Sequence, residues 1–409
     1  MKKNFVLILG LCISLCAFSQ LPVWHGDFAF SGDSVKPTDY ISFVSEYTNN
    51  SNAISNQFLN QLDNSFFITS EDKERELLNA GETIRLGLVF DAGLWYKHRL
   101  KKNNLTLVFN LRSRSFRTIE VSREVLNLIL NGNTQNEGKT IDFSPTKMSH
   151  YIHQEVYLGA EKMFDSIGLL VGGGVAIQKL AYHRELELTG SVYTAPYGQY
   201  IDYDIHYTDQ ETRSLSENNF KRNEGFGVTI NAYAEKQFNN KSRLAVDIKD
   251  IGFINVGDVR AYKLDETMKW EGVYVDDVNG TPTIIGELPS PEITESRKSK
   301  KLTTTGSVNM SYFKKVSPKF YGYVGVKQFF TSAYTPRIYT RPYYKFCKCL
   351  SVGMPMAYGG FGKFDIGVSL KGNIFKNYYY TVDVNYLESL LNPKNSSGQG
   401  INFALSAMF

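Results

Sequence analysis

The sequence predicts an all-β fold, a transmembrane antiparallel β-barrel of about 14 strands (roughly 12 to 16) with long extracellular loops. Three observations carry that expectation. The C-terminal residues 400–409 alternate, with Ile401, Phe403, Leu405, Ala407 and Phe409 on one face of an extended chain and Asn402, Ala404, Ser406 and Met408 on the other. The same period of two recurs along the chain, as a wall with lipid outside and water inside requires. Tyr (26) and Phe (27) are abundant although hydrophobic residues make up only 42%, a balance that suits strands half-facing water and aromatic bands at two membrane interfaces.

At the N-terminus, Lys2 and Lys3 precede an apolar run over residues 5–18, and Ala17, Phe18 and Ser19 precede a candidate cleavage point at Gln20. Residues 1–19 are therefore expected to be a cleaved secretory signal peptide. Leucines (Leu11, Leu15) precede Cys12 and Cys16 where a lipid-attachment site needs a small residue, so no lipid anchor is expected. The apolar run is too short to cross a bilayer as a helix and nothing later approaches about 18 apolar residues in a row, so any crossing falls to strands. Residues 20–37 show no clear strand and read as a periplasmic arm or plug; residues 38–409 read as the barrel. Lys and Arg (45) nearly balance Asp and Glu (41), which excludes the basic excess of a nucleic-acid binder.

Alternation is visible at residues 84–96, 105–111, 226–234, 244–248, 304–312 and 320–329. It is cleanest near the end. There Phe364, Ile366, Val368 and Leu370 oppose Asp365, Gly367, Ser369 and Lys371, and Tyr378, Tyr380, Val382, Val384 and Tyr386 oppose Asn377, Tyr379, Thr381, Asp383 and Asn385. Asp365, Ser369, Lys371, Thr381, Asp383 and Asn385 are the candidate lumen-lining residues. A soluble β-sandwich would alternate too, but long polar-faced strands and a terminal Phe favour the barrel. Phe403, Leu405, Ala407 and Phe409 match the C-terminal signal that barrel-assembly machinery reads, which makes that machinery an expected partner during insertion. An even strand count requires two strands between Arg337 and Ala357, split at 346–348, although that stretch contains Pro342 and Pro355. Short turns at 101–104, 164–166, 239–242, 315–319 and 372–374 then face one side, and long loops at 48–82, 116–147, 190–223 and 258–301 the other.

Among the loops, Ser122 can cap a short helix whose apolar surface is Val125, Leu126, Leu128, Ile129 and Leu130, ended by Gly132. Such a face ordinarily packs against neighbouring loops; the sharper alternative is an oily mouth that collects hydrophobic molecules. Arg297, Lys298, Lys300 and Lys301 are a solvated rim or a contact for lipopolysaccharide. Asp276, Asp277 and Asn279 lack calcium-loop spacing. His150 and His153 fall on opposite faces of a strand and cannot share a metal, while His153 and Glu155 share a face. Gly172, Gly173 and Gly174 lack the lysine of a phosphate loop and are expected to permit close packing or a bend. No catalytic residue, metal or cofactor is expected, and the protein reads as non-enzymatic. A bond between Cys347 and Cys349, two residues apart, would be strained, so free thiols or an outside partner are expected.

Several stretches carry a resemblance: residues 125–133 (VLNLILNGN), residues 155–159 (EVYLG) followed by the Gly172-rich strand to Leu180, residues 250–254 (DIGFI) and residues 270–272 (WEG). Together they resemble a large uncharacterised family of outer-membrane barrels from the Bacteroidota, a domain of unknown function. Val256 stands where that family usually has tryptophan. The family is similar to long-chain fatty-acid transporter barrels, which implies passive uptake and no known active site. The reading is an outer-membrane protein, a passive channel or transporter for small molecules, hydrophobic ones included. The alternative is an accessory or structural barrel of a secretion or outer-membrane assembly complex. An open water path along the lumen-lining set would favour the first, and a lumen filled by the N-terminal segment the second.

Overall fold

The structure is a computed structural model, and it describes residues 38–63, 67–100, 104–213, 221–239, 241–271, 273–275, 282–284, 293–347, 349–375 and 377–409. The expected signal peptide and arm, and the Asp276, Asp277 and Asn279 turn, lie outside the described residues.

Fourteen antiparallel staves close into a barrel. They are β1 (Asp39–Ser51), β2 (Thr83–Leu100), β3 (Leu105–Ser122), β4 (Thr146–Phe164), β5 (Leu169–Thr194), β6 (Gly225–Asn239), β7 (Ser242–Trp270), β8 (Ser307–Lys315), β9 (Phe320–Phe329) and β10 (Thr335–Lys345). β11 comprises Ser351–Gly353 and Met356–Gly360, β12 comprises Phe364–Ile366 and Val368–Phe375, and β13 (Tyr378–Asn385) and β14 (Gly398–Met408) complete the ring. Closure is made by β14 on β1, in register from Tyr40 opposite Met408 to Asn50 opposite Gly398, which leaves the barrel no free edge.

Burial along the staves is inverted relative to a soluble protein. Leu158 is 64% exposed while Lys97 is 1% exposed. Leu94, Leu107, Leu111, Val156, Val175, Ile177, Phe226, Val228, Ile230, Val324, Ile338 and Phe364 all face outward and are exposed. At the short-turn end Phe164, Phe238, Phe320, Tyr344, Phe346, Phe375, Tyr378 and Phe409 form an exposed aromatic ring. Along β12, the rise from Phe364 to Phe375 is about 25 Å on the barrel axis at ~3.3 Å per residue and a ~45° tilt, the height of a hydrocarbon layer crossed by strands.

The two strands expected between Arg337 and Ala357 are present, with the turn at 346–350. Three expectations need correction. The 372–374 turn is strand, because β12 keeps pairing with β13 to Phe375. The loops at 116–147, 190–223 and 258–301 begin too early: β3 runs to Ser122, and β5 and β7 continue for 26 and 29 residues. Strand 201–211 pairs with the far ends of both β5 and β7, and 294–303 pairs with β7, so backbone groups stay satisfied beyond the barrel. On that extension Leu188 and Val192 of β5 pack, with Ile205, against Val125, Ile141 and Phe143. Finally, Cys347 and Cys349 are disulfide-bonded at a Cα separation of 5.3 Å, within the normal span.

Three helices cap the loop end: α1 (Asn56–Asp63), α2 (Ser70–Asn79) and α3 (Arg123–Asn131). Thr69 and Asp72 form a capping box on α2, and Ser122 caps α3 through the Val125 amide. A short helix, α4 (Leu387–Leu391), follows β13. Leu126 and Leu130 bury against Ile54, Phe58 and Ile84, and Val125 against Ile141 and Phe143, while Ile129 is exposed and Leu128 half-buried. Most of the oily face therefore packs on neighbouring loops.

Candidate functional site

Side chains of β2 and β3 alternate, so Val89, Asp91, Trp95 and Lys97 share the lumen face with Arg112, Arg114 and Phe116 across the register of the two strands. The centre of the lumen is an ion-pair layer. Arg112 donates to both oxygens of Asp91 at 2.8 Å, to Glu155 at 3.0 Å and to Asp250 at 2.9 Å. Arg114 donates to Asp250 at 2.7 Å and pairs with Asp91 at 3.2 Å. Asp250 reaches inward from a bulge of β7, where φ is +61° and its amide donates to Asn231 at 2.6 Å. Arg337 donates to Asp365 and Arg341 to Asp383, each at 2.6 Å. Lys97 donates to Glu161 at 2.7 Å, and the Tyr233 hydroxyl also donates to Glu161. A Cβ on Gly172 would stand 2.3 Å from the Tyr233 ring, so the glycine makes room for this tyrosine.

Above the ion pairs sits an aromatic layer. Phe116 meets Phe329 at 5.2 Å between ring centroids and Tyr151 at 5.3 Å, and Tyr334 joins Phe329 and Phe361 at 4.9 and 4.8 Å. The Arg114 guanidinium lies 5.3 Å from the Phe329 ring.

Two cavities stand along this lumen. The inner one, of about 100 Å³, is walled by groups that include Glu46, Asp91, Arg112, Lys327, Arg337 and Asp365. The loop-end cavity, of about 440 Å³, is walled by His153, Gln178, Leu180, Ile254, Leu302 and Phe330 among others. Arg114 is shared by the two linings, with Asp91 on the inner side and Asp250 on the loop-end side, so it stands where the cavities adjoin.

Of the residues singled out from sequence, Asp365 and Asn385 line the inner cavity. Asp383 is fully buried, accepting from Arg341, Asn402 and Ser369. Ser369 also bonds to Tyr343 at 2.9 Å. Lys371 lies 5.9 Å from the Tyr323 ring and pairs across strands with Thr381. Of the six, Asp365, Ser369 and Asp383 are engaged in side-chain bonds. At the closure, Phe403 packs on Phe43 with centroids 6.4 Å apart, Leu405 and Ala407 pair with Phe43 and Ile41, and Phe409 is exposed. His150 meets Ser115 at 3.2 Å while His153 faces the lumen beside Glu155 at 3.8 Å, so the two histidines do lie apart. Among the described residues no group of three or more His, Cys, Asp or Glu could hold a metal ion. Of the four cations of the outer strand, Lys300 pairs with Glu185 at 2.6 Å, Arg297 with Asp258 at 3.5 Å, and Lys301 lies 3.8 Å from the Phe253 ring.

The Arg112, Arg114 and Asp250 layer and the aromatic layer above it were not singled out from sequence. The available signal was Arg112, Arg114 and Phe116 at a spacing of two, just where the strand was ended too soon.

No curated protein matches the chain. Among solved structures it is similar to the toluene transporter TodX of Pseudomonas putida (10% identity, 95% of this chain and 94% of that chain, TM-score 0.46). It is also similar to a FadL homologue of Pseudomonas aeruginosa (7% identity, 91% and 90%, TM-score 0.44) and to the CymD monoaromatic hydrocarbon channel (10% identity, 96% and 94%, TM-score 0.44). At these scores and identities the likenesses carry no weight for fold or function. A family profile does match, over residues 18–383, and on that extent the chain belongs to the family of unknown function DUF5723.

Proposed function

We propose that this barrel resides in the outer membrane and passes small molecules, hydrophobic ones included, by way of the loop-end cavity. The observation that carries the reading is a cavity of about 440 Å³ inside a closed wall. The outside of that wall is an apolar band bounded at one end by aromatic side chains. A cavity of that size suits a small ligand. The short-turn end then faces the periplasm and the helical cap the exterior, with Arg114 and its carboxylates between the cavity and the rest of the lumen. Passage requires that this partition rearrange. The alternative role, as an accessory barrel of an assembly or secretion complex, finds no supporting observation among the described residues.

The test is solute release from liposomes carrying the purified protein, with one polar and one fatty solute. Release above that of protein-free liposomes is expected for at least one of them. Release equal to the protein-free level for both removes the transport role.

A further inference from the structure

The reading of the loop-end cavity as an entrance leaves its occupant open, and the chemistry of the lining narrows it. Four cations and four carboxylates face the cavity. They are engaged with partners rather than with the cavity: Arg114 with Asp250 at 2.7 Å, Lys147 with Glu187 at 2.7 Å, Lys300 with Glu185 at 2.6 Å, Glu120 accepting from Ser332 at 2.7 Å, and Lys301 over the Phe253 ring. The charges therefore cancel in number, and six of the eight cancel in place, with Lys301 and Glu120 resting on an uncharged ring and hydroxyl. A charged ligand would have to leave water and draw its counter-ion away from these contacts.

The hydrogen-bonding capacity left over is on uncharged groups. His153 is 2% exposed, and both its ring nitrogens lack a hydrogen-bond partner among the described residues; the same holds for the Gln178 side-chain oxygen. Gln178, which is fully buried, donates its amide to Glu155 at 3.1 Å and to Thr229 at 3.3 Å, which turns its oxygen away from those partners. A neutral imidazole offers one donor and one acceptor, and a carboxamide oxygen is an acceptor. A hydroxyl, which both donates and accepts, satisfies that set. Directly beside these groups the lining turns apolar. Leu180 lies opposite His153 across β4 and β5, and it forms one cluster with Ile254, against which Tyr151 and Leu302 pack.

We propose that the loop-end cavity binds an uncharged amphipathic molecule of the alcohol type, its hydroxyl bonded to His153 and Gln178 and its apolar body against Leu180, Ile254 and Leu302. The orphaned buried polar atoms are then the head-group site and the leucine wall is the tail site. This rests on the entrance role of the cavity, but it can fail separately.

The experiment compares radiolabelled 1-octanol, octanoate and octane, at a pH where octanoate is ionised, on the full-length protein in lipid nanodiscs against empty nanodiscs. Saturable binding of octanol is expected, about tenfold tighter than that of either octanoate or octane, the difference one hydrogen bond or one buried charge makes. His153→Phe is expected to weaken octanol about tenfold and leave octane unchanged, a split that general loss of structure would not give. Leu302→Trp, which fills the tail site, is expected to abolish octanol binding. Should His153→Phe fail to insert, Gln178→Leu gives the second reading of the head-group site. The proposal is overturned by octanoate or octane binding as tightly as octanol, by octanol binding that survives Leu302→Trp, or by no saturable octanol binding at all. Solute release from liposomes with no preference for the alcohol would sink this proposal and leave the passage role standing. Octanol binding without any release would do the reverse.

Discussion

Arg114 is held by Asp250 and Asp91 and packed against Phe116 and Phe329, so its side chain cannot leave the partition without breaking ion pairs and an aromatic contact together. Arg114→Ala should cost about 3–5 kcal/mol of stability, the range for one partner lost from a buried pair, with the lower end expected because Arg112 remains on both carboxylates. The same variant should join the two cavities, and solute release from liposomes should rise above that of the parent; unchanged release would place the barrier elsewhere. In the outer cap, Asp72 is held down to about 2, first by the Thr69 hydroxyl bond and then by Arg75, against desolvation that opposes them. A carboxylate with a depressed value contributes stability above its ordinary 3.8 and loses it as pH falls through about 2. Protection factors of the α2 amides, taken against the intrinsic exchange rate at each pH, should therefore be unchanged between pH 7 and pH 5 and fall near pH 2, and Asp72→Asn should show low protection at every pH.

At the level of elements, the helical cap is held by apolar contacts between different loops. Leu126 of α3 buries among Ile54, Phe58 and Ile84 from the loop between β1 and β2 and from β2 itself. Leu126→Ala should cost about 2–5 kcal/mol at the cap, the range for a buried Leu truncation, and speed proteolysis of α1 and α2 while leaving the barrel folded by heat-dependent gel mobility. The α3 helix was legible from Ser122, Gly132 and the apolar spacing between them, because capping and periodicity are local. Which of its faces is covered was not. That depends on α1 and α2, which pack there from a loop far earlier in the chain. The extensions of β5 and β7 were hidden for a related reason, since the strand that pairs with both of them, residues 201–211, lies inside a stretch that reads as loop, and pairing between segments is not a local pattern.

For the whole molecule, the outward band predicts dependence on lipid. Leu158 lies on β4 between the loop end and Phe164 of the aromatic ring, inside the outward apolar band, and Leu158→Arg should destabilise the folded barrel by about 2–4 kcal/mol, as expected for a cation at the bilayer midplane. Urea titration in vesicles measures it, and an unchanged midpoint would mean that this face does not meet hydrocarbon. The lumen, by contrast, is stabilised by mutual ion pairs and hydrogen bonds, so its charges act as packing as much as lining.

The sequence by itself pointed to an all-β barrel of about fourteen staves, roughly 12 to 16, with short turns at one end and an apolar and a polar face to its cleanest strands. Those properties follow from a period of two read one strand at a time. Only the tertiary structure decided that Arg112, Arg114, Asp91, Glu155 and Asp250 meet, that Arg114 stands where the two cavities adjoin, and that the His153 ring nitrogens and the Gln178 side-chain oxygen are left without hydrogen-bond partners among the described residues at the edge of a cavity. Those groups come from staves that are distant in sequence, and ring closure and strand register, which no local pattern encodes, bring them to one level.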